Sequence, residues 1–176
     1  MFVRPASLLD SLPSPSDRRI SLRISPDAER LLRRGHPWLY DRAVTRQSHA
    51  GASGDLAVVY NRRNRFLAIG LYDPRSPIRV RVLQHRTPAS IDLDWCRARL
   101  AAAIARRAPL HRSKDTTGYR LIHGENDGLP ALVLDRYEDT GVLKLYTAAW
   151  VPHLPILLAV IQDVFPLKRL VLRLGR

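Results

Sequence analysis

The 176-residue chain carries 29 Lys plus Arg against 16 Asp plus Glu, a formal net charge of +13, and is 45% hydrophobic. That is the apolar fraction of a folded soluble protein with one good core or two small ones, and its cationic excess points to a polyanionic partner. The lone Cys96 excludes an internal disulfide and a multi-cysteine zinc site, and no run reaches the ~18 apolar residues of a membrane span.

No charged start leads into a long apolar core, so no signal peptide is expected and the chain reads as cytoplasmic. Residues 1–19, with Pro5, Pro13, Pro15 and several serines, resemble a mobile tail. Ile20 to Ile24 alternates as a strand. Ser25-Pro26-Asp27 then opens a helix with a cap, a proline at the first position and an early carboxylate. That helix ends near Arg33-Arg34, and Gly35 suits the left-handed position beyond it. Trp38-Leu39-Tyr40 is a short apolar strand. Leu56–Tyr60 and Phe66–Tyr72 are two more, joined by the polar tip Asn61-Arg62-Arg63-Asn64. Ile78 to Leu83 alternates with Arg79 and Arg81 on one face. Four or five strands and one helix in about seventy residues predict a small mixed β barrel over 20–86.

A linker follows near Arg86–Ile91. Asp92 to Arg107 is the best helical pattern, with Leu93, Cys96, Leu100 and Ile104 on one stripe. Pro109 ends it, and His111 to Thr117 reads as a polar loop. Tyr119 to Tyr137 combines a strand, a turn at Gly124-Glu125-Asn126-Asp127-Gly128, and the buried-strand run Ala131–Leu134 stopped by Asp135-Arg136. Val142–Tyr146 is extended. A helix from about Pro152 turns Leu154, Leu157, Leu158, Ile161 and Phe165 inward, and Leu170–Leu174 is a last strand. The expected fold class is α+β: the barrel, then an α+β unit over 92–176 built as strand, strand, helix, strand.

Charge is uneven. Through Arg86 the chain has sixteen basic and seven acidic residues, a net of +9, and the remainder carries thirteen and nine, a net of +4. Only Lys114, Lys144 and Lys168 are lysines. Arginine's planar fork suits phosphate and stacks on bases, although a GC-rich genome would give the same bias. Arg33, Arg34, Arg62, Arg63 and Arg65 are expected to form an RNA-binding surface at a helix end and a hairpin tip, in preference to a merely solvated rim. Arg79 and Arg81 belong either to the groove wall or to the wet side of a sheet. His36 and Trp38 could stack on RNA, but Trp38 is expected to pack under the barrel and His36 to stay at a tight turn.

His123, Glu125 and Asp127 alternate, so on a strand they would share a face and could bind metal or act as acid and base. The glycines on either side favour a turn, in which such residues cap backbone. No metal ligand and no catalytic residue is assigned. Cys96, on an apolar helix stripe, reads as an inert buried thiol.

Three segments in order carry a resemblance. They are Gly35-His36-Pro37-Trp38-Leu39; Gly70-Leu71-Tyr72-Asp73-Pro74-Arg75-Ser76-Pro77-Ile78-Arg79-Val80-Arg81; and Arg120-Leu121 with Glu125–Pro130 and Asp135-Arg136-Tyr137. Together they resemble the large-subunit ribosomal RNA cytosine-5 methyltransferases, whose amino-terminal half is a PUA RNA-binding domain. Ala131 departs from that pattern, since members commonly carry glycine after the proline. The resemblance implies RNA of ribosomal origin as the partner, and S-adenosylmethionine as the cofactor of the full-length family. The glycine-rich donor loop and the catalytic cysteine of that family fall in a carboxy-terminal Rossmann-like domain that this sequence does not contain. This chain is therefore expected to bind RNA without binding the donor or performing chemistry. A stand-alone PUA protein of another RNA-modification or translation pathway is the alternative, and a small hydrolase built on His123, Glu125 and Asp127 is a third reading. Whether the chain forms a homodimer is left open.

Overall fold

The computed structural model describes residues 11–175. The first part of the expected tail lies outside them. Residues 11–19 form no helix or strand, yet they are held: Leu12 packs against a core and the Ser16 amide donates to Asp55 Oδ1 at 2.9 Å.

Strand β1 (Ile20–Ile24) turns Ile20, Leu22 and Ile24 inward. Helix α1 (Pro26–Arg33) starts where the sequence signals it, with Ser25 accepting the Ala28 amide and Pro26 in the first turn. Gly35, at φ +89°, closes it. The Gly35 and His36 amides donate to the carbonyls of Leu32 and Leu31, occupying acceptors the helix end would leave bare. Strands β2 (Trp38–Tyr40), β3 (Val44–Gln47), β4 (Leu56–Tyr60), β5 (Phe66–Tyr72) and β6 (Ile78–His85) complete a curled sheet in the order β2-β6-β5-β4-β1-β3. All its pairings are antiparallel except β1 with β4. The outermost strands, β2 and β3, do not pair with each other, so the sheet is a half-barrel. Strand β3 escaped the sequence reading because Val44-Thr45-Arg46-Gln47 has no apolar alternation; its pairing with β1 makes it a strand.

The second sheet has the order β10-β9-β8-β7, formed by β7 (Gly118–His123), β8 (Leu132–Tyr137), β9 (Thr140–Leu145) and β10 (Arg169–Leu174). The first three form a meander, and α4 (Leu154–Val164) carries the chain back so that β10 runs parallel to β9. Helix α2 (Leu93–Arg106) packs on α4 and β7. Its N-cap is Asp92, which accepts the Trp95 amide at 2.9 Å. Cys96, Leu100 and Ala103 are its buried residues, whereas Leu93, expected on the stripe, is exposed in the first turn. Pro109 does not simply end this helix. It lies in the first turn of a short helix α3 (Ala108–Arg112), where a missing amide costs nothing, and that helix replaces the start of the expected polar loop. Near Pro152 the chain first makes a 3₁₀ turn, Ala148–His153. Val160, not Leu158, then joins Leu154, Leu157 and Ile161 as the buried face of α4.

Two hydrophobic clusters result. One fills the half-barrel, and the other lies between α2, α4 and the second sheet. Leu71 and Leu83 leave the half-barrel's cluster and belong to the second, so the sheets are packed together. Polar bonds reinforce that contact. Thr147 donates to Asp73 Oδ2 at 3.0 Å, Arg99 donates to Gln84 Oε1 at 2.7 Å, and the His153 Nε2–H donates to the Gly54 carbonyl at 2.7 Å. Trp38 corrects an expectation. It is only half-buried, beside the second sheet rather than under the barrel, with its indole N–H donating to Glu125 Oε1 at 2.9 Å; Leu39 fills the barrel instead. An indole that must satisfy its N–H sits better at a seam with a carboxylate than in an apolar interior.

Ala131 adopts φ +61°, a left-handed conformation that costs an L residue ~1–2 kcal/mol. Ala131→Gly is expected to stabilise the fold by roughly 0.5–1 kcal/mol, with part of the relief lost to glycine's greater unfolded-state entropy. A urea midpoint that stays put or falls would show that the strain is absent. Burial lowers the proton affinity of His153 below its ordinary value of 6.5. The unfolded chain therefore takes up this proton first, so His153's contribution is full above pH 6.5 and declines as pH falls below it. His85, also depressed by burial, adds to the same slope. Thermal melts from pH 7.5 to 5 should thus show a fall in Tm that His153→Gln, which keeps a donor for Gly54, makes shallower without abolishing.

Candidate nucleic-acid interface

The tip between β4 and β5 is built by one asparagine. Asn61 Oδ1 accepts the amides of Arg63 and Arg65, both at 2.9 Å, and the Asn61 carbonyl accepts the amide of Asn64, which has φ +60°. Asparagine tolerates that left-handed position. The Asn61 side-chain amide donates across to Glu29 Oε1 on α1 at 3.0 Å, and Arg33 donates to the same oxygen at 2.8 Å. Those hydrogen bonds, Asn61's first, hold the Glu29 carboxyl below its ordinary range. Helix end and hairpin tip are thereby drawn together. Arg33, Arg62, Arg63 and Arg65 surround a depression of about 320 Å³ whose floor is Glu29 and Asn61. Four arginines line the depression beside one carboxylate, which only Arg33 among them bonds in the described residues, and all four are exposed.

The other expected arginines fall elsewhere. Arg34 is exposed at the end of α1 but does not line this depression. Arg79 is half-buried, with its guanidinium over the Tyr72 ring at 5.8 Å. Arg81 is only 8% exposed and lies in the seam between the sheets, where its side chain donates to the Ile78 carbonyl at 3.4 Å. Burial lowers its proton affinity, while Asp73 and Glu125 oppose that effect. It lines a cleft of about 360 Å³ with Trp38, Arg120, His123, Glu125 and Tyr146. Arg81 turns toward the second sheet instead of open solvent, whereas Arg79, at a register shift between β2 and β6, lies over Tyr72 of the half-barrel's own cluster and lines neither cleft that Arg81 borders.

His123, Glu125 and Asp127 do not converge as an acid–base group. Gly124–Asp127 is a 3₁₀ turn, as the glycines suggested. Asp127 is fixed by structure: Arg107 Nη2 reaches its Oδ2 at 2.8 Å, Arg106 its Oδ1, and the His123 amide donates to Oδ2. Burial alone would raise its pKa, but those donors outweigh it and hold the carboxyl below its ordinary range. Glu125 serves Trp38, and the exposed His123 ring meets Asn126. Among the described residues no three His, Cys, Asp or Glu side chains group as metal ligands. The Cys96 thiol is buried, which raises its pKa to about 11, so it stays protonated and unreactive at neutral pH.

Comparison with known proteins defines the class. Residues 22–85 match the PUA-like domain family. Over 170 residues the chain is 52% identical to a ribosomal RNA large subunit methyltransferase of Deinococcus radiodurans, an alignment covering 94% of this chain and 42% of that protein. It is 33% identical over 147 residues to the ribosomal RNA large subunit methyltransferase I of Aliivibrio fischeri, covering 84% and 37%. A Streptococcus mutans structure described as a SAM-dependent methyltransferase superposes with a TM-score of 0.77 at 18% identity, over 88% of this chain and 40% of that one. A second, described as a methyltransferase complexed with SAH, gives 0.75 at 18% identity and the same coverage. The chain thus carries a PUA-like domain and is homologous to these large-subunit rRNA methyltransferases, spanning about two fifths of their length.

Asp127→Ala would leave Arg106 and Arg107 without their shared carboxylate and a backbone amide without its acceptor. We expect a loss of about 3 kcal/mol in urea unfolding. A change below ~1 kcal/mol would mean that water replaces the carboxylate at no cost.

Proposed function

We propose that this chain is the RNA-binding amino-terminal portion of a methyltransferase that uses S-adenosylmethionine to modify carbon 5 of a cytosine in large-subunit ribosomal RNA. The division is a PUA-like module over 20–86 and a central α+β module over 92–176. Ribosomal RNA as partner implies a cytoplasmic location. The observation that carries this reading is the exposed arginine group at the α1 end and hairpin tip, on a domain whose relatives are named for rRNA methylation. Guanidiniums that outnumber their local carboxylates attract phosphate, set affinity and register, and release counterions when RNA binds. Support for a longer parent comes from β10, which leaves Leu172 and Leu174 exposed on one face and Val171 on the other; those apolar side chains would give the remaining part of a methyltransferase a surface on which to pack.

Arg62 and Arg63 are exposed and hold no ion pair among the described residues, and their removal should alter unfolding free energy by less than about 0.5 kcal/mol. The double variant Arg62→Ala/Arg63→Ala should bind a large-subunit rRNA fragment more weakly, whatever its sequence. The slope of log affinity against log salt should shrink by roughly one to two units. Equal slopes for wild type and variant would remove the hairpin tip from the interface.

A further inference from the structure

A second feature of the half-barrel lies on its outer face. Strand pairing sets Arg46 opposite Arg23, Arg23 beside Tyr60, and Tyr60 opposite Phe66, giving one row across β3, β1, β4 and β5. The core-facing neighbours are Leu22, Ile24, Val59 and Leu67, so the row faces outward. Like charges directly opposite on paired strands repel, and nothing here neutralises them. The Arg23 side chain donates to the uncharged Asn64 Oδ1 at 3.3 Å, and among the described residues the Arg46 side chain has no hydrogen bond or ion pair. Arg23 and Arg46 line a depression of about 310 Å³ with Ser21, Ser48 and Asn64. Tyr60 and Phe66, packed edge to face with ring centres 6.4 Å apart, line an adjoining one of about 290 Å³, which shares Ser21. No carboxylate borders either.

We propose that the row Arg46, Arg23, Tyr60, Phe66 seats a single-stranded segment of RNA, with a phosphate between the two guanidiniums and an unstacked base against the Tyr60–Phe66 step. Two cations with no protein counter-ion become favourable when an anion sits between them, and an aromatic step beside them offers a base a stacking surface. Asn64 joins this row to the arginine tip, so the two sites form one track along the β4–β5 hairpin. This assignment rests on the RNA-binding reading above and adds to it the strandedness of the ligand. A duplex keeps its bases stacked inside and cannot use the aromatic step.

The test measures binding of the full 176-residue chain to a fluorescent single-stranded oligoribonucleotide and to the duplex of the same sequence, across a salt series. We expect the single strand to bind more tightly. Arg23→Gln/Arg46→Gln should reduce its salt slope by about 0.7 units, the value for one lost single-strand phosphate contact, with no fall in Tm because a repulsion is relieved. Tyr60→Leu should weaken single-strand binding about tenfold with the slope unchanged, since stacking carries no counterions. Should Tyr60→Leu misfold, photo-crosslinking of wild type to a 4-thiouridine oligonucleotide gives a second readout, with adducts expected on Tyr60 or Phe66. Wild-type binding that both variants retain, while Arg62→Ala/Arg63→Ala loses it, overturns this site and leaves the RNA reading standing. Equal affinity for duplex, or crosslinks confined to other strands, also overturns it. No salt-dependent binding by wild type would remove the RNA reading and this site with it.

Discussion

At Gly54 the half-barrel touches the second sheet so closely that a side chain has no room. A Cβ there would lie 2.6 Å from Pro152 Cγ and 3.0 Å from the Ala149 carbonyl, and φ is +99°. The Gly54 amide donates to the Tyr72 carbonyl and its own carbonyl accepts His153, so this one residue is bonded both to β5 of the half-barrel and to the 3₁₀ turn that follows β9. The next residue, Asp55, binds the Ala52 and Ser16 amides and fixes the segment leading into β4. Asp73 and Thr147 close the same seam farther along. Interfaces between modules in one chain are often mobile. Here shared apolar packing at Leu71 and Leu83 and a buried imidazole bond hold the half-barrel in one orientation, which leaves its hairpin tip and outer face free.

The distribution of carboxylates follows from that arrangement. In the carboxy-terminal part, Asp127 is committed to Arg106 and Arg107, Asp135 to Arg120, and Asp139 to Lys168. Those pairs differ in weight: Asp127 is buried, whereas the Lys168 pair is exposed and contributes little to stability. In the half-barrel the arginines of the hairpin tip and of the β1–β3 pair outnumber nearby acids. Among the described residues Glu29 is the one carboxylate lining the tip's depression, and its charge is held by Asn61 and Arg33. The positive potential is therefore concentrated on the part of the molecule that matches PUA-like domains. A field of that sign raises the local concentration of RNA and speeds encounter, and screening by salt weakens it.

Much of this was legible in the sequence, because the deciding forces act over a few residues. Ser25, Pro26 and Gly35 bound a helix through caps and φ preferences, and the structure ends it at those positions. The Asn61–Asn64 tip and the Gly124–Gly128 turn follow from local side-chain to backbone bonding. The expected α+β class, a PUA-like mixed β barrel followed by an α+β unit, was carried by periodicity and by the three family-like segments together, and the structure shows the barrel as an open half-barrel. Of the five arginines expected together at the helix end and the tip, four line one depression and Arg34 does not. Arg33 meets Arg62, Arg63 and Arg65 because Asn61 reaches Glu29, a contact between residues 32 apart in sequence.

By itself, then, the sequence determined where chain segments start and stop, which residues are apolar enough to be buried, and that the charge sits in the first half. Each of those is a property of neighbours along the chain. Only the tertiary structure decided that Trp38 faces Glu125, that Arg81 is enclosed while Arg62 is free, and that Arg46 stands across from Arg23. Strand β3 shows why. Four residues with no hydrophobic period become a strand because β1 offers them a free edge, and the register of that pairing creates the arginine row. Alternation tells which side chains share a face, but the face's surroundings are set by long-range packing between elements whose partners no local pattern names.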